Sequence, residues 1–328
     1  MEKIAIIIVN YKGWDDLEHC LDSLVLIDSK KIILEVIVVD NCSNDGKFEQ
    51  FKTKYTNFNF ILNTSNNGFA NGCNVGAAAA NANYYLFLNP DTKVDQKNLE
   101  LYIQTYIEHS EIALLSCLQI DEKGNYYNPY RLFPTFITFF GIPRAIYKAL
   151  KKNTIEKRIN YSETFFHPDW VTGAVILISK EWFEKVNGWN ENYWMYMEDV
   201  DLCKRIFNQN GKIAIYKKTK IFHKHGGASR INVNTKALTK TEVLISKHVY
   251  ISDNFSTFTA FFLHIRLIIG TLLEKLLLTI IAIPLFFIKK LKVNQFIFIN
   301  YVNYLCGSML HKTFISPRAV NYSKIPKK

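Results

Sequence analysis

Two acidic motifs that lie far apart in the sequence are its best candidates for chemistry. Asn89-Pro90-Asp91 follows the apolar run 84–88, and Glu198-Asp199 follows the aromatic and methionine-rich run 194–197. A carboxylate after a buried strand can hold a divalent metal, and a second carboxylate can accept a proton. Together they suit transfer from a donor activated by a diphosphate, whose charge must be neutralised while the acceptor hydroxyl loses its proton. An acid in this position can also cap a helix, so Asp91 alone leaves that alternative open.

The elements that must position these acids alternate between strands and helices, which predicts an α/β fold with a mostly parallel sheet flanked by helices. Three runs are continuously apolar, as is typical of strands buried on both faces of a parallel sheet. They end at Asn10, Asp40 and Asn89, at the sheet edge where open α/β folds bind ligands. The runs are residues 4–9, 36–39 and 84–88.

Charge is distributed unevenly along the 328 residues, whose formal net charge is +11. Residues 245–328 contain eleven Lys and Arg but two Asp and Glu, and they are also rich in apolar residues. We therefore predict a catalytic domain over 1–244 and a basic, apolar, helical region over 245–328. A basic segment that is also apolar favours an anionic membrane surface and argues against nucleic acid as a partner.

The basic region contains a segment, 267–288, that is long enough to cross a bilayer. Glu274 and Lys275 lie near its middle, and each would cost about 2.5 to 3.5 kcal/mol at the centre of a spanning helix. We expect an amphipathic helix that lies in the membrane interface. A buried helical bundle or an oligomer interface is the alternative. The expected polar stripe is His264, Thr271, Lys275 and Thr279, and the expected anchors are Lys289, Lys290 and Lys292.

The amino terminus and the cysteines indicate the compartment. Met1-Glu2-Lys3 leads directly into the first apolar run, without the pattern of a signal peptide. The six cysteines include no Cys-x-x-Cys pair and are typical of reduced thiols. We expect a cytoplasmic protein that is peripheral on the inner face of the cell membrane.

Periodicity is weak between residues 119 and 168, where Pro129, Pro134 and Pro143 occur among aromatic residues. This pattern predicts an insertion or a mobile loop on the acceptor side. A strand is predicted over 170–178, with helices from about Lys180 and Asp199. The last core strand, 213–216, leads to His223-Lys224-His225.

Taken as a set, the motifs resemble the family 2 glycosyltransferases of the GT-A fold, especially the bacterial rhamnosyltransferase-like branch that builds surface polysaccharides. They occur in the family's order between about residues 4 and 230. The resemblance implies an inverting transfer of a sugar, with rhamnose favoured, from a dTDP- or UDP-sugar to a glycan or lipid-linked glycan. The matching stretches are 8–11, 38–46, 67–70, 88–91, 173–174 and 197–202.

The same resemblance implies a set of residues that bind the nucleotide sugar. Asn89-Pro90-Asp91 stands where the family has its Asp-x-Asp motif, so Asp91 would bind Mn²⁺ or Mg²⁺ together with diphosphate oxygens. His223 or His225 would supply a second metal ligand, and the sequence leaves open which one. The implied donor-binding residues are Asn10, Tyr11, Asp40, Asn67, Gly68, Asn74, Asn89 and Asp91.

On the acceptor side, Asp199 is the implied general base and Glu198 the alternative. Asp201 is predicted to be an exposed or capping acid, because residues at i and i+2 do not share a helix face. Arg205 is expected to pair with one of the helix acids. Aromatic residues in this region could stack on a sugar or simply pack in the core. The implied acceptor-side residues are Trp170, Gly173, Ala174 and Trp194.

Two other functions are compatible with parts of the pattern. A nucleotidyltransferase would need a glycine-rich, basic signature after the first strand, where this chain has residues 10–14, Asn-Tyr-Lys-Gly-Trp. A membrane-attached subunit that binds a nucleotide sugar without catalysis would account for Asn89 in place of an acid. A homo-oligomer also stays open.

Overall fold

The computed structural model describes residues 2–28, 32–224, 232–285 and 289–324. These residues form two compact units. The first unit contains the described residues of 2–66, 71–190 and 198–224. The second contains Asn67–Ala70, Glu191–Met197 and the described residues from 232 onward.

Within the described residues, nine strands of the first unit form one sheet. The strands are β1 (Glu2–Asn10), β2 (Ile32–Asp40), β3 (Asn59–Leu62), β4 (Tyr84–Leu88), β5 (Thr92–Lys93), β6 (Ile112–Ile120), β7 (Phe165–Phe166), β8 (Val175–Ser179) and β9 (Lys212–His223). Their order is β3-β2-β1-β4-β8-β6-β9-β5, with β7 beside β9. The predicted α/β class is confirmed. The sheet is mixed, because β8 runs antiparallel to both β4 and β6 and separates two parallel groups.

Eight helices connect these strands in the described part of the chain. They are α1 (Trp14–Val25), α2 (Lys47–Lys54), α3 (Phe69–Ala79), α4 (Gln96–Glu108), α5 (Gly141–Leu150), α6 (Lys152–Ile159), α7 (Lys180–Lys185) and α8 (Glu198–Asn208). The central strand β1 is buried on both faces from Ile4 to Ile8, as its apolar run predicts. Glycines let α3 approach that strand closely, since a Cβ at Gly76 would lie 2.5 Å from Ile7 Cγ2.

The segment 119–168, predicted to be an insertion or a mobile loop, contains regular elements. It includes α5, α6 and β7. The prolines led to the prediction of irregular structure. Pro143, however, occupies the first turn of α5, where no backbone N–H is needed. The strand predicted over 170–178 begins only at Val175, because the residues before it form an irregular connection.

The second unit is built mainly from α9 (Val233–Asn254), α10 (Thr257–Ala282) and α11 (Lys289–His311), followed by a short 3-10 helix (Val320–Lys324). Ile245 of α9 packs with Tyr301 and Tyr304 of α11. The boundary predicted between residues 244 and 245 falls inside α9, and the unit already includes the start of that helix. The charge shift marks a change in composition, whereas the structural boundary follows the packing.

The predicted polar stripe of α10 faces the neighbouring helices and not water. His264 Nδ1 lies 2.7 Å from His248 Nδ1 on α9, and His248 Nε2 lies 2.7 Å from the hydroxyl of Tyr301 on α11. Lys275 Nζ donates to Asn294 Oδ1 at 3.1 Å. The apolar side of α10 is therefore exposed, with Leu273 63% accessible. Polar side chains of the stripe thus contact α9 and α11.

Of the helices that the structure describes, none combines the length and the apolar character needed to cross a lipid bilayer.

Candidate active site

The pairing of β5 with β9 forms the metal-binding end of the candidate site. Thr92 pairs with His223 in an antiparallel register, which brings the imidazole next to Asp91. His223 Nε2 lies 3.3 Å from Asp91 Oδ1, and the two side chains are 6% and 14% exposed. Of the two histidines left open by the sequence, the structure brings His223 to the motif. His225 lies outside the described residues.

A hydrogen-bond chain orients the imidazole of His223. Its Nδ1 lies 2.9 Å from Gln119 Oε1, and Gln119 Nε2 donates to Thr172 Oγ1 at 3.0 Å. Since an amide oxygen only accepts, Nδ1 donates to Gln119 and leaves Nε2 facing Asp91 Oδ1. Partners of this kind fix the orientation of a metal-binding histidine. Sequence analysis missed Gln119, and no motif marks it.

Asp91 and His223 fit a divalent metal that has few protein ligands. Two ligands bound at about 2.1 Å and about 90° apart lie about 3 Å from each other, close to the observed separation. Among the residues that the structure describes, no cluster of three or more His, Cys, Asp or Glu could hold a metal. Donor phosphates and water would complete the shell, and imidazole favours Mn²⁺ over Mg²⁺.

The start of α8 forms the acidic end of the site. Asp199 Oδ2 accepts from the backbone N–H of Gly173 at 3.2 Å, and Oδ1 accepts from that of Val200 at 2.8 Å. Burial raises the pKa of Asp199, while these N–H groups and the nearby Arg131 favour its charged form. Two backbone donors hold the carboxylate in a defined orientation.

Glu198 differs from its neighbour in its surroundings. It is 8% exposed, and its Oε2 has no hydrogen-bond partner among the residues that the structure describes. Burial, followed by the charge of Asp199, raises the pKa of Glu198 above its ordinary value. Two backbone N–H donors and Arg131 thus stabilise the charged form of Asp199, whereas burial and the neighbouring charge disfavour the charged form of Glu198. This difference favours Asp199 as the base.

Residues 172–174 connect the two ends of the site. Thr172 binds Gln119 of the metal-binding end, and Gly173 donates to Asp199. The carbonyl of Ala174 accepts from the N–H of Asn89 at 2.9 Å. Gly173 and Ala174, predicted as acceptor-side residues, thus contribute backbone groups that join the two acidic motifs. Both ends belong to the same compact unit.

Asp40 and Asn10 lie at the carboxyl ends of the neighbouring strands and are both fully buried. Asn10 Nδ2 donates to Asp40 Oδ1 at 2.9 Å, and the N–H and hydroxyl of Ser43 also donate to this carboxylate, at 2.9 and 2.6 Å. These bonds hold the two loops together, and the nucleotide contact of Asp40 stays a prediction. Tyr11, 42% exposed, presents an aromatic ring at the same edge.

Asn74 holds a loop of the first unit together. Its side chain both donates to and accepts from the backbone of Trp189, at 2.8 and 2.9 Å. Both ends of the amide are used within the fold, and the donor contact of Asn74 stays a prediction.

Asn67, Gly68 and Trp194 belong to the second unit and not to the unit that holds the acidic motifs. Gly68 has φ +91°, and a Cβ there would lie 2.1 Å from the carbonyl oxygen of Trp194. Trp194 is 7% exposed and lies beneath the guanidinium of Arg318, 5.1 Å from its ring centroid. Gly68 and Trp194, predicted to bind donor and acceptor, are explained by packing.

Two further predictions concern side chains near α8. Asp201, predicted to be exposed or capping, is 2% exposed and accepts from Arg205 Nε at 2.7 Å. The pairing predicted for Arg205 is present. Trp170 donates from Nε1 to the carbonyl of Leu132 at 3.1 Å, and its ring lies 4.6 Å from the guanidinium of Arg131. Arg131 was missed because it lies in the segment predicted to be a loop.

Comparison with known proteins identifies the class. The family model described as glycosyl transferase family 2 matches residues 5–186, and the model for the N-terminal domain of galactosyltransferase matches residues 155–226. The chain belongs to glycosyl transferase family 2. It is a glycosyltransferase, as the sequence predicts.

Two curated relatives are rhamnosyltransferases. The chain is 30% identical over 212 residues to rhamnosyltransferase WbbL of Escherichia coli, covering 62% of this chain and 76% of that protein. It is 26% identical over 227 residues to N-acetylglucosaminyl-diphospho-decaprenol L-rhamnosyltransferase of Mycobacterium tuberculosis, covering 65% and 73%.

Two solved structures share the fold. Staphylococcus aureus TarS has a TM-score of 0.51 at 17% identity, over 79% of this chain and 68% of that one. GalNAc-T7, solved with UDP, GalNAc and Mn²⁺, has a TM-score of 0.54 at 15% identity, over 77% and 50%. The predicted GT-A type of fold is confirmed.

Replacement of Gly68 by alanine tests the packing role of this glycine. We expect Gly68→Ala to lower the free energy of unfolding by more than about 2 kcal/mol, because the new methyl group overlaps the Trp194 carbonyl as well as straining the backbone. Gly46→Ala is the matched control, since Gly46 has φ +76° with no atom within 4 Å of a Cβ. Equal decreases in the free energy of unfolding of the two variants, measured by urea denaturation, would contradict the packing role.

Proposed function

We propose that this glycosyltransferase moves rhamnose from dTDP-rhamnose to a lipid-linked glycan, with inversion at the anomeric carbon, in surface polysaccharide synthesis. The observation that carries the proposal is the connection of Asp91 and Asp199 through residues 172–174. Rhamnose as the donor sugar is supported by the two rhamnosyltransferase relatives.

In this proposal the donor diphosphate lies at the metal-binding end. Asp91 and His223 would hold Mn²⁺ or Mg²⁺, which neutralises charge on the departing diphosphate. Asn89, fixed by its backbone bond to Ala174, contributes a neutral side chain where related enzymes have an acid. Tyr11 is available to stack on the nucleobase.

Asp199 is the proposed base. The acceptor oxygen forms a bond to the anomeric carbon from the side opposite the diphosphate, the bond to the diphosphate oxygen breaks, and the hydroxyl proton passes to Asp199. The N–H groups of Gly173 and Val200 hold the carboxylate ready for this proton. Glu198, which keeps its own proton, lowers the repulsion that two adjacent charges would produce.

Substitution of the two acids separates their roles. We expect Asp199→Asn to lower kcat by about 10² to 10⁴-fold, whereas Glu198→Gln, which resembles the protonated acid, keeps kcat within several-fold near pH 7. Because burial raises the pKa of Asp199, wild-type kcat should fall as the pH drops through that raised value, and this acid limb should be absent from the residual rate of Asp199→Asn. Steady-state rates against pH give both quantities.

Melting temperatures of the variants must be measured together with these rates. The Asn side chain has one oxygen for the two backbone N–H groups that donate to Asp199, so Asp199→Asn also perturbs the fold. Wild-type kcat in folded Asp199→Asn protein would refute the assignment of the base. Complete absence of wild-type transfer from any nucleotide sugar would instead favour a subunit that only binds the donor.

Donor and metal binding can be measured without turnover. We expect dTDP-rhamnose with Mn²⁺ to raise the melting temperature more than either alone, because a ligand that binds only the folded state stabilises it. Asp91→Asn should abolish the part of the increase in melting temperature that is due to Mn²⁺. Gln119→Leu should weaken the binding of Mn²⁺ about 10 to 100-fold through its effect on His223. Glu108→Gln, an exposed acid on α4, is the control. A larger shift with UDP-sugars would exclude rhamnose as the preferred donor.

We further propose that α10 attaches the protein to the inner surface of the cell membrane. Its outward side chains are apolar, with Phe258, Phe261, Leu273 and Leu277 between 58% and 76% exposed. The net positive charge of residues 245–328 complements anionic lipids.

Vesicle flotation tests this attachment. We expect the protein to float with vesicles that contain phosphatidylglycerol, and Leu273→Ser/Leu277→Ser to bind at least about tenfold more weakly, since each buried leucine is worth about 1.5 to 3 kcal/mol. Leu26→Ser/Leu62→Ser, on exposed leucines of the first unit, is the matched control. Equal flotation of the two double variants would contradict attachment through α10.

A further inference from the structure

Arg131 is a cation that interacts electrostatically with Asp199, the proposed base. Its guanidinium stacks on Trp170 and is half-buried, and in the part of the chain that the structure describes it makes no side-chain hydrogen bond. It lines a small cleft together with Gln119, Tyr127 and Thr172. A stacked guanidinium is rigid and presents its remaining N–H groups to an anion in a fixed geometry.

Two more cations lie near Arg131. Lys148 of α5 donates to the carbonyl of Tyr130 at 3.2 Å. Burial lowers the pKa of Lys148, and the charges of Arg144 and Arg131 lower it further. Mutual repulsion of this kind costs stability, and a bound anion would relieve it. The cluster is thus suited to a group that carries more than one negative charge.

The opposite face of α5 is apolar and exposed. Ile142, Ile146 and Leu150 recur at i, i+4 and i+8 and are 77%, 55% and 79% exposed. Phe136 and Ile137, just before the helix, are 49% and 61% exposed. Apolar side chains that line one face of a surface helix, with Arg144 and Lys148 on the other, are typical of a helix that meets lipid.

The segment between Arg131 and α5 is fixed to the first unit. Phe133 and Phe139 are 9% and 4% exposed, and Asp169 accepts from the N–H of Phe133 at 2.7 Å. Arg158 binds the same carboxylate at 2.7 Å. The apolar face and the cations therefore belong to one segment, residues 131–150, which is fixed to the first unit and contacts Trp170 through Arg131.

We propose that this element binds a lipid diphosphate acceptor. The lipid-acceptor surface comprises the apolar residues Phe136, Ile137, Ile142, Ile146 and Leu150 and the cations Arg131, Arg144 and Lys148. The lipid chain lies on the apolar residues, and the diphosphate binds Arg131 and Lys148. This inference rests on the proposed transfer to a lipid-linked glycan and assigns the residues that recognise its carrier.

The position of Arg131 distinguishes this diphosphate from that of the donor. The donor phosphates are assigned to Asp91 and His223, whereas Arg131 interacts electrostatically with Asp199, the proposed base for the acceptor hydroxyl. In an acceptor with one sugar on a lipid diphosphate, only that sugar separates the attacking hydroxyl from the phosphates. A cationic cluster near the base is therefore suited to bind the phosphates of such an acceptor while the hydroxyl of its sugar lies at Asp199.

Two acceptors with the same sugar test the surface in the full-length protein. One is a long-chain lipid diphosphate, and the other is a neutral short-chain alkyl glycoside. We expect Arg131→Gln/Lys148→Gln to raise KM at least about tenfold for the lipid diphosphate while KM for the neutral glycoside and for the donor stay within about twofold. Lys157→Gln, an exposed cation of α6, should change none of these values.

The apolar part is tested separately. Ile142→Ser/Ile146→Ser should raise KM for the long-chain lipid diphosphate and leave a short-chain diphosphate acceptor unchanged. Binding of the lipid diphosphate in the absence of donor is measured on the same variants, so the inference is decided even if no transfer occurs. Loss of all wild-type transfer would count against the proposed function.

Four outcomes would overturn the inference. Equal increases in KM for charged and neutral acceptors would mean that Arg131 only supports the fold or Asp199. An increase in donor KM would assign the cations to the donor diphosphate. Unchanged binding of the lipid diphosphate by Arg131→Gln/Lys148→Gln, or equal binding of vesicles of anionic phospholipid and of the lipid diphosphate, would exclude a specific site.

Discussion

The antiparallel pairing of β8 with β4 is the interaction on which the site depends. Leu88 pairs with Val175, so the residues just before β8 lie beside the residues just after β4. Their backbone groups then serve both acidic motifs: the carbonyl of Ala174 accepts from Asn89, and the N–H of Gly173 donates to Asp199. Backbone hydrogen bonds between packed strands vary little in geometry. The distance between the metal-binding end and Asp199 is therefore set by the sheet and not by flexible side chains.

Burial gives neighbouring acids different tasks. Glu198 and Asp199 are adjacent in sequence, yet Asp199 receives two backbone N–H donors, which favour its charged form. Asp201 is neutralised by Arg205 within the fold. The three acids at the start of α8 thus differ in surroundings: Asp199 accepts from backbone N–H groups, Glu198 is buried with a raised pKa, and Asp201 pairs with Arg205.

The two units present apolar surface in different ways. In α10 the polar residues pair with one another inside the helical unit, and the apolar residues are left outside. In α5 the apolar residues form a narrow face on a helix that also carries cations. Both arrangements favour contact with lipid, and the second is the one linked to the catalytic acids through Arg131 and Trp170.

The sequence by itself determined the strands, the acidic motifs and the family, because apolar runs and the order of motifs are visible in the sequence without knowledge of tertiary contacts. It could not assign Asp40 and Gly68, since full hydrogen bonding of one and close contact of the other with Trp194 depend on distant residues. It also missed Gln119 and Arg131, which no local pattern marks. Only the tertiary structure placed His223 beside Asp91 and joined Asp91 to Asp199, because these contacts follow from the β5–β9 and β4–β8 pairings.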